Sequence, residues 1–110
     1  MVQIYHNPRC SKSRQAVQIL RDAGVTPEII LYQKTPLDAA GLAGLIARLD
    51  GPATALLRAR EAAALAPPPV TEAEIIAALV ANPSLMERPI VVSAKGAVIA
   101  RPPERALEIL

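Results

Sequence analysis

Cys10 is the residue of this chain best placed to do chemistry. It follows His6-Asn7-Pro8-Arg9 and precedes Ser11-Lys12-Ser13-Arg14, so basic side chains and two hydroxyls crowd around the one thiol. A thiol attacks as its thiolate, and both neighbouring cations and the free backbone N–H groups of a helix start favour that form. The helix is supplied downstream: from Ser11 onward Ala16, Val17, Ile19, Leu20 and Ala23 recur at helical spacing, and Gly24 offers a stop. Cys10 is therefore expected at a helix N-terminus with a lowered pKa. The same amides, from Ser11 to Arg14, would point at a tetrahedral oxyanion, as helix starts commonly do with phosphate. Ser11, Ser13 and Arg14 are thus expected to bind substrate, and His6 to support the thiolate as a cation or donor. A small cysteine that merely fills space is the competing role, and a charge-rich helix start suits it badly.

The elements that must position this thiol follow from the apolar pattern. Val2 to Tyr5 is a short β-prone run ended by the loop residues Asn7-Pro8. Glu28 to Tyr32 is a second strand, whose continuous Ile29-Ile30-Leu31 suits a sheet covered on both faces. Strand, helix and strand make a βαβ unit with parallel strands. Thr35-Pro36 and Asp38 both offer starts for an amphipathic helix carrying Leu42, Leu45, Ile46 and Leu49, and Thr54 to Ala66 reads as another, stopped by Pro67-Pro68-Pro69. Thr71 and Glu74 form a capping box for a helix that closes at Asn82-Pro83. Ile90 to Val92 and Ala97 to Ala100 are strands joined as a hairpin, and Pro102-Pro103 starts a last helix with Leu107 and Leu110 expected inward.

This order describes one domain, residues 1–110: a mixed sheet flanked by helices, with a helical insertion at about 37–85. The net charge of +2, from twelve basic residues scattered among ten acidic ones, forms no basic stripe and argues against nucleic acid. No stretch approaches the ~18 apolar residues of a membrane span, and no signal-peptide pattern opens the chain, so a cytoplasmic protein is expected. One His and one Cys cannot make a zinc site, and no glycine-rich phosphate loop is present, so no bound metal or nucleotide cofactor is expected.

Ile4-Tyr5-His6-Asn7-Pro8-Arg9-Cys10-Ser11-Lys12-Ser13-Arg14 resembles the active-site signature of glutaredoxin-coupled arsenate reductases. The likeness continues in Ile30-Leu31-Tyr32, Ala55-Leu56-Leu57-Arg58, Asn82-Pro83, Glu87-Arg88-Pro89-Ile90-Val91-Val92 and Arg101-Pro102-Pro103-Glu104, and so spans the chain. The resemblance implies a thioredoxin/glutaredoxin-like fold. It also implies that three arginines, matched here by Arg58, Arg88 and Arg101, bind arsenate or a similar oxyanion beside Cys10. Because the segment after Arg58 is shorter than in typical members, Arg60 remains an alternative for the first of them. A cis peptide before Pro89 is a further implication. So is a cycle in which Cys10 forms a thiol-arsenate adduct, glutathione adds as co-substrate, and glutaredoxin resolves the mixed disulfide while docking near His6, Pro8 and Pro89.

Two other functions compete. A thiol-redox protein without arsenate activity tolerates Cys-x-x-Ser but leaves three separated arginines without a purpose. A transcription-regulating adaptor of the same fold usually carries Cys-x-x-Cys, whereas Ser13 stands in the second position here. With a single cysteine, any redox cycle needs a thiol from another molecule.

Overall fold

A computed structural model describes all 110 residues. It contains a four-stranded sheet of β1 (Gln3–Tyr5), β2 (Glu28–Ile30), β3 (Ile90–Ser93) and β4 (Gly96–Ile99) in the order β2-β1-β3-β4. β1 and β2 are parallel, while β3 is antiparallel to both β1 and β4. The mixed sheet flanked by helices is the expected fold class.

The crossover between the parallel strands is α1 (Ser11–Asp22), which starts at Cys10 as its N-cap. Its apolar stripe of Ala16, Val17 and Leu20 packs on Ile4, Val91 and Val98 of the sheet and on Ala106 and Ile109 near the C-terminus. Gly24, at φ 83°, ends the helix in a backbone conformation that glycine adopts without a Cβ penalty. The opposite face of the sheet carries Tyr5, Ile90, Val92 and Ala97, covered by α2 (Ala39–Arg48) and α4 (Glu72–Ala81). Asp38 caps α2 through the Gly41 N–H, and the Thr71–Glu74 capping box closes in both directions.

Three expectations need correction. Strand β2 stops at Ile30 and lies at the sheet edge, where Ile29 is 39% exposed; Leu31 and Tyr32 already belong to a turn. The exposed Ile29 and half-buried Ile30 show that its apolar run is not covered on both faces.

The run from Thr54 to Ala66 is not one helix. It divides into a 3-10 turn, Ala53–Leu56, and a short α3, Ala59–Ala63. The backbone between them is drawn off to pair with residues 85–87: Arg58 N–H donates to the Leu85 carbonyl at 2.8 Å, and Glu87 N–H to the Leu56 carbonyl at 2.6 Å.

The C-terminal segment Pro103–Ile109 is a 3-10 helix, whose period of three buries Pro103, Ala106 and Ile109. Leu107 and Leu110, placed inward by a period of 3.6, are 46% and 37% exposed.

Leu20 is fully buried between α1, the sheet and the C-terminal segment. Leu20→Ala should therefore lower the unfolding free energy by about 3 kcal/mol in a urea titration. A loss below about 1 kcal/mol would mean that this layer is not closely packed.

Candidate active site

The register of the sheet brings the functional segments to one end. Tyr5 pairs with Ile30 and with Ile90, and Ile90 pairs with Ile99, so these four residues form a row across the sheet. Beyond that row lie His6 to Cys10 after β1, Leu31 and Tyr32 after β2, Arg88 and Pro89 before β3, and Ala100 and Arg101 after β4. This is the carboxyl end of the parallel pair, the position at which open α/β sheets commonly bind ligands.

The loop carrying the thiol is a tight turn. Cys10 N–H donates to the Asn7 carbonyl at 3.0 Å, with Pro8 at the second position, and the Asn7 side chain accepts from Arg9 N–H at 3.0 Å. Ser13, completely buried, ties the turn to α1: its Oγ lies 2.6 Å from His6 Nδ1 and accepts from Asn7 N–H at 3.1 Å. Arg14 extends back along the loop and donates to the Pro8 carbonyl at 2.8 Å.

Cys10 is partly exposed at the start of α1, and its side chain makes no capping hydrogen bond. Burial alone would raise its pKa. The Ser13 N–H, the Arg88 guanidinium and the Lys12 N–H, all close to the sulfur, outweigh that effect and hold the thiol below its ordinary value. The first turn of α1 contains no acid to oppose them.

The arginines meet in a cleft lined by Arg58, Arg60, Glu61, Glu87, Arg88 and Arg101. Arg88 links this cleft to the sulfur, because it also acts on Cys10. Arg58, the N-cap of α3, pairs with Glu61 at 3.0 Å, and Arg101 donates to the Arg88 carbonyl at 3.1 Å. The Glu87 carboxylate stands between Arg101 at 3.7 Å and Arg88 at 4.0 Å. Arg60 lines the same cleft as Arg58, so both candidates for the first arginine position are present there. The Arg88-Pro89 peptide is cis, as the resemblance implied.

His6 is oriented toward Ser13, so it reaches the thiol's surroundings through that hydroxyl. Burial, followed by Arg14 and Arg21, lowers its pKa, which favours the neutral ring over a cation at neutral pH. Three participants were not singled out as site residues from the sequence: Asn7, Glu87 and Tyr32. Asn7-Pro8 carried a turn signal, and Glu87 lay inside a fragment of the resemblance. Tyr32 likewise lay inside a fragment of the resemblance, Ile30-Leu31-Tyr32, which implied no role for it.

The sequence model of the ArsC family matches residues 5–109. The chain belongs to the ArsC family. Among its relatives, the uncharacterized protein YfgD of Escherichia coli (strain K12) is 49% identical, with 99% of this chain and 96% of that protein covered. An arsenate reductase of Escherichia coli is 38% identical over 99% of this chain and 80% of its own length. The solved arsenate reductase from Vibrio cholerae superposes with a TM-score of 0.88 at 37% identity, covering 99% of this chain and 97% of that one. The thioredoxin-like fold of the family is thus the fold of this chain, and the arginine cleft lies at the carboxyl end of its parallel strands.

Two measurements probe these electrostatics. The rate of Cys10 alkylation against pH should titrate below the ~8.5 of a free cysteine, and Arg88→Ala should move the midpoint upward. A midpoint unchanged by that substitution would remove Arg88 from the thiolate's support.

The second concerns acid. A His6 pKa lowered by folding means that the native state binds fewer protons than the unfolded chain. The associated stability is fully present above the unfolded value near 6.5 and is lost as pH falls toward the lower folded value. Urea midpoints should accordingly drop from about pH 7 to about pH 5, and the drop should be smaller in His6→Gln. Equal drops in both proteins would assign the acid sensitivity to other groups.

Proposed function

We propose that this protein is a thiol-dependent arsenate reductase coupled to glutathione and glutaredoxin, with Cys10 as nucleophile. The observation that carries the reading is the position of Arg88, which faces the sulfur and at the same time lines the cleft containing Arg58 and Arg101. A thiolate and an anionic substrate repel each other, and guanidinium groups remove that obstacle while holding two oxygens at once. Substrate amides are supplied by the start of α1, with Ser11, Ser13 and Arg14 on its first turn.

In the proposed cycle the Cys10 thiolate forms a bond to arsenic(V), and one arsenic–oxygen bond breaks, its oxygen leaving protonated as water. The glutathione thiolate then attacks the Cys10 sulfur. The sulfur–arsenic electron pair stays on arsenic, which leaves as arsenite(III), while the two thiols become one mixed disulfide. A glutaredoxin thiol attacks that disulfide, takes the glutathione and restores Cys10. Two electrons leave the thiols and two reach arsenic. No bound cofactor is required, and the reducing thiols belong to a cytoplasm-like compartment. The exposed Pro8-Arg9 tip of the thiol-bearing turn, beside Cys10, is the surface on which glutaredoxin would dock; His6 and Pro89, expected as contacts, are buried and offer none.

Arsenite formation should depend on both glutathione and glutaredoxin, should vanish in Cys10→Ser, and should fall at least tenfold in Arg88→Ala or Arg101→Ala, the scale of a charge-assisted contact of about 1.5 kcal/mol or more. Formation of the mixed disulfide without arsenite would retain the thiol chemistry and reject arsenate. Turnover supported by thioredoxin alone would keep the Cys10 step and replace the coupling.

A further inference from the structure

Two buried side-chain polar atoms in the whole chain lack a hydrogen-bond partner, and they are the hydroxyl of Tyr32 and Nε of Arg88. Native interiors leave few such groups, and a donor withheld from water without a partner is destabilising, so each orphan calls for an explanation. Both belong to the same site. Tyr32 is 1% exposed, and its hydroxyl lies within electrostatic reach of Cys10, Arg88 and Arg58. The Asn7 side chain approaches that hydroxyl without completing a hydrogen bond. The register explains the convergence: Tyr32 leaves β2, and Arg88 enters β3, beyond the row of Tyr5, Ile30 and Ile90.

We propose that the Tyr32 hydroxyl and Arg88 Nε form the buried wall of the oxyanion site and donate hydrogen bonds to an oxygen of the tetrahedral anion attacked by Cys10. This rests on the oxyanion-reductase reading and adds Tyr32 to it as a catalytic residue. The exposed part of the cleft, with Arg58 and Arg101, contributes charge that also suits a carboxylate such as Glu87. A buried hydroxyl contributes a donor of fixed direction. When the thiolate bonds to arsenic, negative charge grows on the remaining oxygens, and a donor already in place stabilises it without reorganising. The hydroxyl is suited to donate: burial raises the Tyr32 pKa, so it stays protonated at neutral pH.

The test is Tyr32→Phe, which deletes one oxygen and keeps the ring in the core. Its thermal midpoint should equal or exceed that of the wild type, because the orphan is gone, while kcat/KM for arsenate should fall about tenfold. Protection of Cys10 from iodoacetamide by inorganic phosphate supplies a reading independent of turnover. The variant should need roughly ten times more phosphate, with the pH midpoint of alkylation in phosphate-free buffer unchanged. Arg88→Lys, which keeps a cation but lacks Nε, should show the same weakened protection. Equal protection of wild type and Tyr32→Phe would overturn the Tyr32 assignment and leave the reductase reading intact. A midpoint shift that by itself accounts for the loss would also overturn it, since the hydroxyl would then act on the thiol. Absence of phosphate protection in either protein, together with no arsenate turnover by the wild type, would reject the oxyanion reading and the Tyr32 role with it.

Discussion

The pairing of Tyr5 with Ile30 and Ile90, continued by Ile90 with Ile99, is the constraint from which the site follows. Segments distant in sequence become neighbours because their strands end at a common row, and each contributes one piece of chemistry just beyond it. Register in a half-buried sheet is strongly specified, since a slip of one residue would send every side chain to the wrong face. Ile4 and Val91 are committed to the α1 side, and Tyr5 and Ile90 to the side of α2 and α4. Apolar burial on two faces therefore fixes where the polar ends must meet. The backbone bonds of residues 85–87 with Leu56 and Arg58 extend the same logic, carrying the helical segment's arginine to the flank of Arg88.

Charge is graded across the cleft. Closest to the sulfur are the amides of α1 and the Arg88 guanidinium. Farther out, Arg58 and Arg101 are each paired with a carboxylate, Glu61 and Glu87 respectively. These exposed pairs contribute little to folding, on the order of 0–1 kcal/mol each. Their consequence is functional: the outer guanidiniums are kept extended and partly neutralised, whereas Arg88 keeps a buried Nε unpartnered. In the proposed cycle an incoming oxyanion competes with Glu61 for Arg58 and with Glu87 for Arg101 and the Arg88 guanidinium tip, but meets no competitor at Arg88 Nε.

Much of this was legible in the sequence. Cys10 before a periodic helix, the Thr71–Glu74 box, Asp38 as a cap and the Ile90 to Ala100 hairpin each rest on a local signal, and local signals survive folding. What was not legible depends on contacts across the chain. Nothing in Thr54 to Ala66 announces that Leu56 and Arg58 will trade helical bonding for residues 85–87. The alternation of Ala106 and Ile109 with Leu107 and Leu110 fits a period of three or of 3.6, and only packing against α1 selects the former. Tyr32 looked like the end of a strand, and its role appears only when the turn after β2 is set beside the turn after β1. The three arginines were placed by family resemblance, because no spacing rule joins positions 58, 88 and 101.

Ser13 shows how one position can exclude a mechanism. In a Cys-x-x-Cys protein a second sulfur would stand there and could displace whatever Cys10 had bound. Here the side chain is a hydroxyl, fully buried and engaged by His6 and Asn7, so it holds the loop geometry and cannot be oxidised to a disulfide. That commitment moves the resolving step outside the chain. The inner side of the site is closed by Tyr32 and Arg88, so an external thiol must approach Cys10 from its exposed side. In the proposed cycle the substrate's arsenic and the second thiol therefore reach the same sulfur from different directions. The anion can remain on its donors while the disulfide forms, a requirement if the electron pair released by sulfur is to pass to arsenic and nowhere else.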